Sequence, residues 1–313
     1  MKVITYRILS MSKQKPRDHH YVPRGYLRGF TEVPNRLHIY DKDAKRIRQA
    51  STKGIAYSRD YYTVDTVDEK DSSEVEENLG RIESVVIPIL SEIVTEKDLS
   101  NPKRADLAIY IAVQYGRTPV AKARMNEVAT IVATNVTKSI MAEAVNDEAK
   151  YQEMVGRIRS DDPDRYVPSR ETLIEWILKP GPMAEVSMDN GTYVKQFFEN
   201  AEDIAEGLLR TQWAAITAPR GSSFITSDNP IGLTINRELK EHEVLAIMLP
   251  DVTRFFPLDS KHCLVMTDDL KGREIERRPA SNSEVRMINK VIAEQAYKYV
   301  ISGNERLLKS LTS

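Results

Sequence analysis

The residues able to do chemistry in this chain are few and lie far apart. Two of its five histidines stand side by side in Asp18-His19-His20-Tyr21-Val22-Pro23-Arg24, with Arg28 close behind. An imidazole titrates near neutrality, so one of them suits a general acid, a general base or a single metal ligand. Adjacent histidines project in different directions from either regular structure, so they do not form a two-ligand metal site. The plain alternative is a histidine hydrogen-bonded into the core. A second cluster follows from helical spacing. Leu107, Ile111 and Gln114 fall at i, i+4 and i+7, which puts the Gln114 amide on an apolar stripe, and Arg117 comes three residues later. A guanidinium fork there suits a carboxylate or a phosphate. An unpaired buried polar group costs roughly 1–3 kcal/mol, so both side chains need partners.

Glu83 shares a helix face with Leu79 and Val86 and is expected to be at least half buried. It is either the structural ion-pair partner of Arg117 or a catalytic carboxylate. The last cluster is Ser227-Asp228-Asn229-Pro230, where an apolar run ends in a turn former. Such turns often bond their own backbone. A carboxylate at a strand end also holds a metal or orients a histidine.

Taken as one site, these residues predict a hydrolase acting on a phosphodiester or nucleotide. His20 would be the acid/base, Asp228 its orienter or a metal ligand, and Glu83 a second carboxylate. Arg24, Gln114, Arg117, Ser227 and Asn229 would bind substrate, and a divalent metal is compatible with the set. The competing expectation is a non-catalytic anion- or nucleotide-binding sensor or interaction protein, in which the same residues form a structural polar network. Common motifs give no further direction. The chain has no GxGxxG, Walker loop, HExxH, GxSxG or zinc-type Cys/His spacing,. Its one cysteine, Cys263, lies in the apolar run His262–Met266 and reads as core,.

These residues need a scaffold, and 313 residues with 41% hydrophobic and 29% charged content supply one. No apolar run approaches the roughly 18 residues of a spanning helix, so no membrane partner is expected. A single cysteine rules out an internal disulfide, and the cytoplasm is the expected compartment. The total charge of −1 argues against a whole-protein field for nucleic acid. Charge is nevertheless segregated: residues 1–50 carry +8 and residues 65–100 carry −8. Either the two segments dock on each other, or the basic end faces a phosphate-bearing ligand, leaving a nucleotide or nucleic-acid partner open.

Periodicity predicts α+β: a central bundle of long helices packed on a C-terminal antiparallel sheet, with small N-terminal strands. Met1–Arg17 reads as a flexible extension and residues 18–313 as a single domain. Strands are expected at Arg36–Tyr40, Arg46–Gln49 and Tyr61–Val64. The stripe Val75, Leu79, Ile82, Val86, Ile89, Ile93 is a buried helix that Pro88 should kink or split. Helices follow over 101–115, 120–144, 148–159, 170–178 and 194–210. Short strands are expected at Gln212–Thr217, Ser223–Thr226, Ile231–Ile235, Val244–Met248, Arg254–Pro257 and His262–Met266. A helix at Asn282–Ala296, a strand at Tyr297–Ile301 and a last short helix close the chain.

The run His20-Tyr21-Val22-Pro23-x-x-Tyr26-Leu27-x-x-Phe30 resembles the opening signature of a mainly bacterial family of unknown function, recognised by its HYVP motif. The similarity continues through His38-Ile39-Tyr40-Asp41, Ile82-Glu83-Ser84, the Gln114–Pro119 stretch and Thr226–Pro230. It brings no established activity. It does imply that the clusters above are family motifs and therefore candidates for one site. In many members the position of His19 looks like Gln or another polar residue, so the resemblance favours His20. Bacterial defence is the expected setting for the hydrolase, and a bacterial defence or mobile-element system for the sensor.

Overall fold

The computed structural model describes residues 18–59, 61, 64–65, 70–71, 73–95, 99–240, 243–269 and 274–312. The extension expected at Met1–Arg17 and the middle of the strand expected at Tyr61–Val64 lie outside the described residues. The fold is α+β. The chain divides into two compact units, one built from 1–120, 189–236 and 247–313, the other from 121–188 and 237–246. Among the described residues no helix is long and apolar enough to cross a membrane.

The larger unit opens with β1 (Asp18–His20), α1 (Arg24–Leu27) and a 3-10 turn at Arg28–Phe30. β2 (Arg36–Asp41), β3 (Arg46–Ser51), β4 (Tyr57–Arg59), β5 (Val64–Asp65) and β6 (Lys70–Asp71) follow. Then come α2 (Ser73–Thr95) and α3 (Asn101–Gly116). Pro88 does not split α2, which is one continuous element. Pro102 sits in the first turn of α3, where its missing N–H removes no helical bond,. From Leu107 to Gly116 nearly every α3 side chain is buried, and α3 packs against both α2 and α7. A helix apolar around most of its circumference becomes a core helix. A polar residue in that stretch is therefore carried inside.

The smaller unit holds most of α4 (Pro119–Asn146), with α5 (Glu148–Asp161) and α6 (Arg170–Leu178). Asn126, Thr130 and Thr134, one turn apart on α4, accept the N–H groups of Met188, Val186 and Met183 at 3.1, 2.8 and 3.1 Å. That ladder gives an irregular segment the backbone partners it lacks by itself.

The chain re-enters the larger unit with α7 (Asn190–Leu209), capped by Asp189 onto Thr192 N–H,. After it come β7 (Gln212–Thr217), β8 (Thr226–Ser227), β9 (Gly232–Ile235), β10 (Val252–Pro257), β11 (His262–Thr267), β12 (Glu276–Pro279), α8 (Asn282–Glu294), β13 (Tyr299–Ser302) and α9 (Glu305–Thr312). One sheet has the order β12-β7-β11-β10-β9, antiparallel except for β12, which runs parallel to β7. The other, β3-β2-β13-β8, joins the N-terminal hairpin to the last strand of the chain. Val244–Met248 is not a strand, contrary to its apolar pattern. Its Ile247 carbonyl instead accepts Arg254 Nε at 2.5 Å. Cys263 is fully buried in the core, where desolvation holds its thiol protonated.

Candidate functional site

Most of the motif residues are tied down in separate hydrogen-bonded groups, the first of them built on Arg117. α3 carries Gln114 and Arg117 inward because its apolar stripe faces the core. Arg117 Nε and Nη2 donate to Gln114 Oε1 at 2.9 and 2.5 Å, and Nη1 donates to Glu83 at 2.8 Å. The Gln114 amide then donates to the Tyr21 carbonyl at 3.0 Å. Arg117 is 1% exposed and Glu83 28%, so the guanidinium is sealed while its carboxylate reaches the surface. The structural ion-pair reading of Glu83 has its geometry here.

The N-terminal motif is tied on from a second direction. Tyr26 Oη donates to the Pro257 carbonyl at 2.7 Å and lies 2.9 Å from Thr226 Oγ1, with its ring stacked on Phe256. Thr118 Oγ1 in turn donates to Asn229 Oδ1 at 3.4 Å, and Ser227 Oγ closes the turn onto Asn229. Asn229 Nδ2 reaches the Gln295 carbonyl at 2.9 Å. Asp228 is fully buried, and its carboxylate accepts the backbone N–H groups of Tyr297, Lys298 and Tyr299 at 2.8–2.9 Å. Burial pushes this carboxyl up to about 6 against the pull of those three N–H groups. Burial raises the Tyr21 hydroxyl above its ordinary range, and the charge of Asp228 adds to that rise.

His20 does not join these groups. β1 pairs with β4, placing His19 opposite Ser58 and His20 opposite Tyr57. Strand alternation sends the two rings to opposite faces. His19 is fully buried, whereas His20 lies beside the Tyr57 ring and its Nε2 is 3.1 Å from the Lys53 carbonyl. His19 acts electrostatically on Glu76, whose carboxyl is raised by burial, and opposes that rise. Arg24 is exposed on α1.

The structure adds Glu76 and Tyr110. Glu76 stands seven residues before Glu83 on the same face of α2, and Tyr110 four residues before Gln114 on α3. These spacings are visible in the sequence. Among the described residues Glu76 Oε1 and Tyr110 Oη are buried without a hydrogen-bond partner. Burial raises the Glu76 carboxyl above its ordinary range, opposed by His19 and Arg117. Tyr110 is raised the same way, and it too feels Arg117 and Glu83. Two unsatisfied polar atoms beside one ion pair mark a place where water or a ligand group would gain bonds. A carboxyl raised by burial is also a candidate proton donor. Among the described residues no group of three or more His, Cys, Asp or Glu side chains is placed to hold a metal ion.

Glu77, Glu83 and Glu92 pair with Arg81, Arg117 and Lys103. On the other side of the balance, Asp43 pairs with Lys298 at 3.0 Å.

No curated protein and no solved structure matches the chain. A family model does, over residues 18–306, a span that holds every motif bonded into these groups. The chain belongs to the family described as Protein of unknown function (DUF4238).

Proposed function

We propose that this protein is a non-catalytic anion- or nucleotide-binding sensor whose family motifs brace the fold. The observation that carries the bracing, non-catalytic part of the reading is the state of Arg117: it is 1% exposed, and its Nε, Nη1 and Nη2 are all bonded to Glu83 or Gln114. A phosphate could take this guanidinium only by displacing Glu83 and leaving Gln114 short of a partner. Both changes are costly in a buried site. Asp228 is equally committed, to three backbone N–H groups, and does not orient an imidazole. Anion binding then belongs elsewhere on the molecule.

The test is a thermal-shift screen of the full chain with nucleotides and phosphodiesters, with and without divalent metal, run beside a turnover assay. Stabilisation without turnover is expected. A ligand at a hundred times its Kd adds about 2.7 kcal/mol to a native state that binds it. Turnover abolished by Glu76→Gln would overturn the reading.

One observation favours a second reading, a hydrolase acting on a phosphodiester or nucleotide. It is Glu76 Oε1, which is buried without a hydrogen-bond partner among the described residues, on a carboxyl raised by burial and acted on by His19. Glu76 would give its proton to the leaving oxygen while His19 accepts one from water. Glu76→Gln would then remove turnover and leave the melting temperature near that of the parent.

A further inference from the structure

A cavity of about 360 Å³ opens in the larger unit, between the Gly221–Ser223 turn, α8 and α9. None of the family motifs lines it. Its volume lies in the range of small-molecule sites, roughly 300–1,000 Å³. We infer that this cavity binds a phosphomonoester carried on a small organic body. The inference rests on the anion-binding reading above and supplies the site that reading lacks.

Three features point to that ligand. First, Arg286 on α8 and Arg306 on α9 both line the cavity, and neither makes an ion pair or side-chain hydrogen bond among the described residues. Two guanidinium forks without carboxylates match a phosphate of about −1.5 to −2 charge at neutral pH. Second, two helices begin here. Ser281 caps α8, whose first residue Asn282 lines the cavity, and Asn304 Oδ1 accepts Leu307 N–H at 3.1 Å at the start of α9. The partial positive charge of both helix starts adds to that of the arginines. Third, Val285, Leu307 and Leu311 form an apolar wall. A bare inorganic anion would leave that wall and most of the volume unused, whereas an organic body would cover it.

The polar frame is held in advance. The turn Pro219–Ser222 closes by Ser222 N–H onto the Pro219 carbonyl at 3.0 Å, with Gly221 at φ +88. That is the third position of a type II turn, which needs the left-handed region. Ser222 Oγ donates to Asn282 Oδ1 at 2.6 Å, leaving the Asn282 amide nitrogen as a donor. Asn289 fixes the strand beyond the turn by accepting Ile225 N–H and donating to the Ser223 carbonyl.

The experiment is calorimetric titration of the full chain with adenosine monophosphate, glycerol phosphate, inorganic phosphate and adenosine, at low and high salt. The same titrations are run on an Arg286→Gln/Arg306→Gln double variant. Both arginines are exposed, so the variant should melt like the parent. Binding of both monophosphates, stronger than that of inorganic phosphate and absent for adenosine, is expected. The double variant should weaken it by roughly tenfold or more. Absence of monophosphate binding, or binding unchanged in the double variant, would overturn the site. In the latter case the anion-binding reading still stands. Turnover of a phosphodiester by the parent would sink the non-catalytic reading, while loss of monophosphate binding in the double variant would still support the cavity.

Discussion

Asp228 and Tyr299 hold each other in both directions. The Asp228 N–H donates to the Tyr299 carbonyl at 3.0 Å, and the Tyr299 N–H donates to Asp228 Oδ2 at 2.9 Å. With Tyr297 and Lys298 also donating, one carboxylate organises the backbone entering β13. β13 pairs with both β2 and β8, so the acidic turn is fixed to the strand joining the two ends of the sequence.

Burial moves the Asp228 carboxyl from 3.8 to about 6, so the folded chain holds that proton more tightly than the unfolded one. The stability this confers is present below 3.8 and is lost as pH rises through about 6,. At about 1.4 kcal/mol per pH unit of displacement, the loss is about 3 kcal/mol. Urea melts of the parent and Asp228→Asn across that window should show the parent losing more stability than the variant. A parent that gains stability relative to the variant would mean the three N–H groups outweigh burial.

Arg117→Met should cost about 3–5 kcal/mol, the usual effect of removing one partner of a buried pair. Glu83→Gln should cost less, because water reaches the side chain that is 28% exposed. Chemical denaturation gives both values. Equal small losses would remove Arg117 from the brace.

The two histidines should separate sharply. His19→Ala empties a fully buried position and should cost about 2–5 kcal/mol, as other large-to-small core changes do,. His20→Ala gives up the bond to the Lys53 carbonyl at a half-exposed ring and should cost about 0.5–1.5 kcal/mol,. Comparable losses would contradict the alternation of β1.

Gly116→Ala should destabilise by about 1–3 kcal/mol, the range for overpacking. A methyl there would run into the Phe197 ring of α7, and Tyr193 Oη donates to the Gly116 carbonyl. Thermal melting measures it. No change would show that the α3–α7 contact yields easily.

Much of the fold is local and therefore legible in the sequence. The apolar spacing marks α2 and α3, Pro102 marks a helix start, and β7 runs Gln212–Thr217 as its alternation predicts. The i, i+4, i+7 rule also puts Gln114 inside, and a buried amide and guanidinium then need a partner that Glu83 supplies. Other features depend on segments distant in the chain. β12 joins the sheet by pairing with β7, more than sixty residues earlier, and nothing in its own polar sequence announces a strand.

The sequence by itself determined which residues are costly to bury, and so which must find partners: an amide, a guanidinium, an acid at a turn and one of two histidines. Tertiary structure alone decided the partners. β1 acquires its inward face from pairing with β4, and that pairing sends His19 into the core and His20 to the side of the Tyr57 ring. The same long-range packing closes water off from Arg117 and Asp228 while leaving Arg286 and Arg306 beside an open cavity. Residue type sets the penalty for an unmet polar group; only the meeting of distant segments sets whether it is met by the chain or left for a ligand.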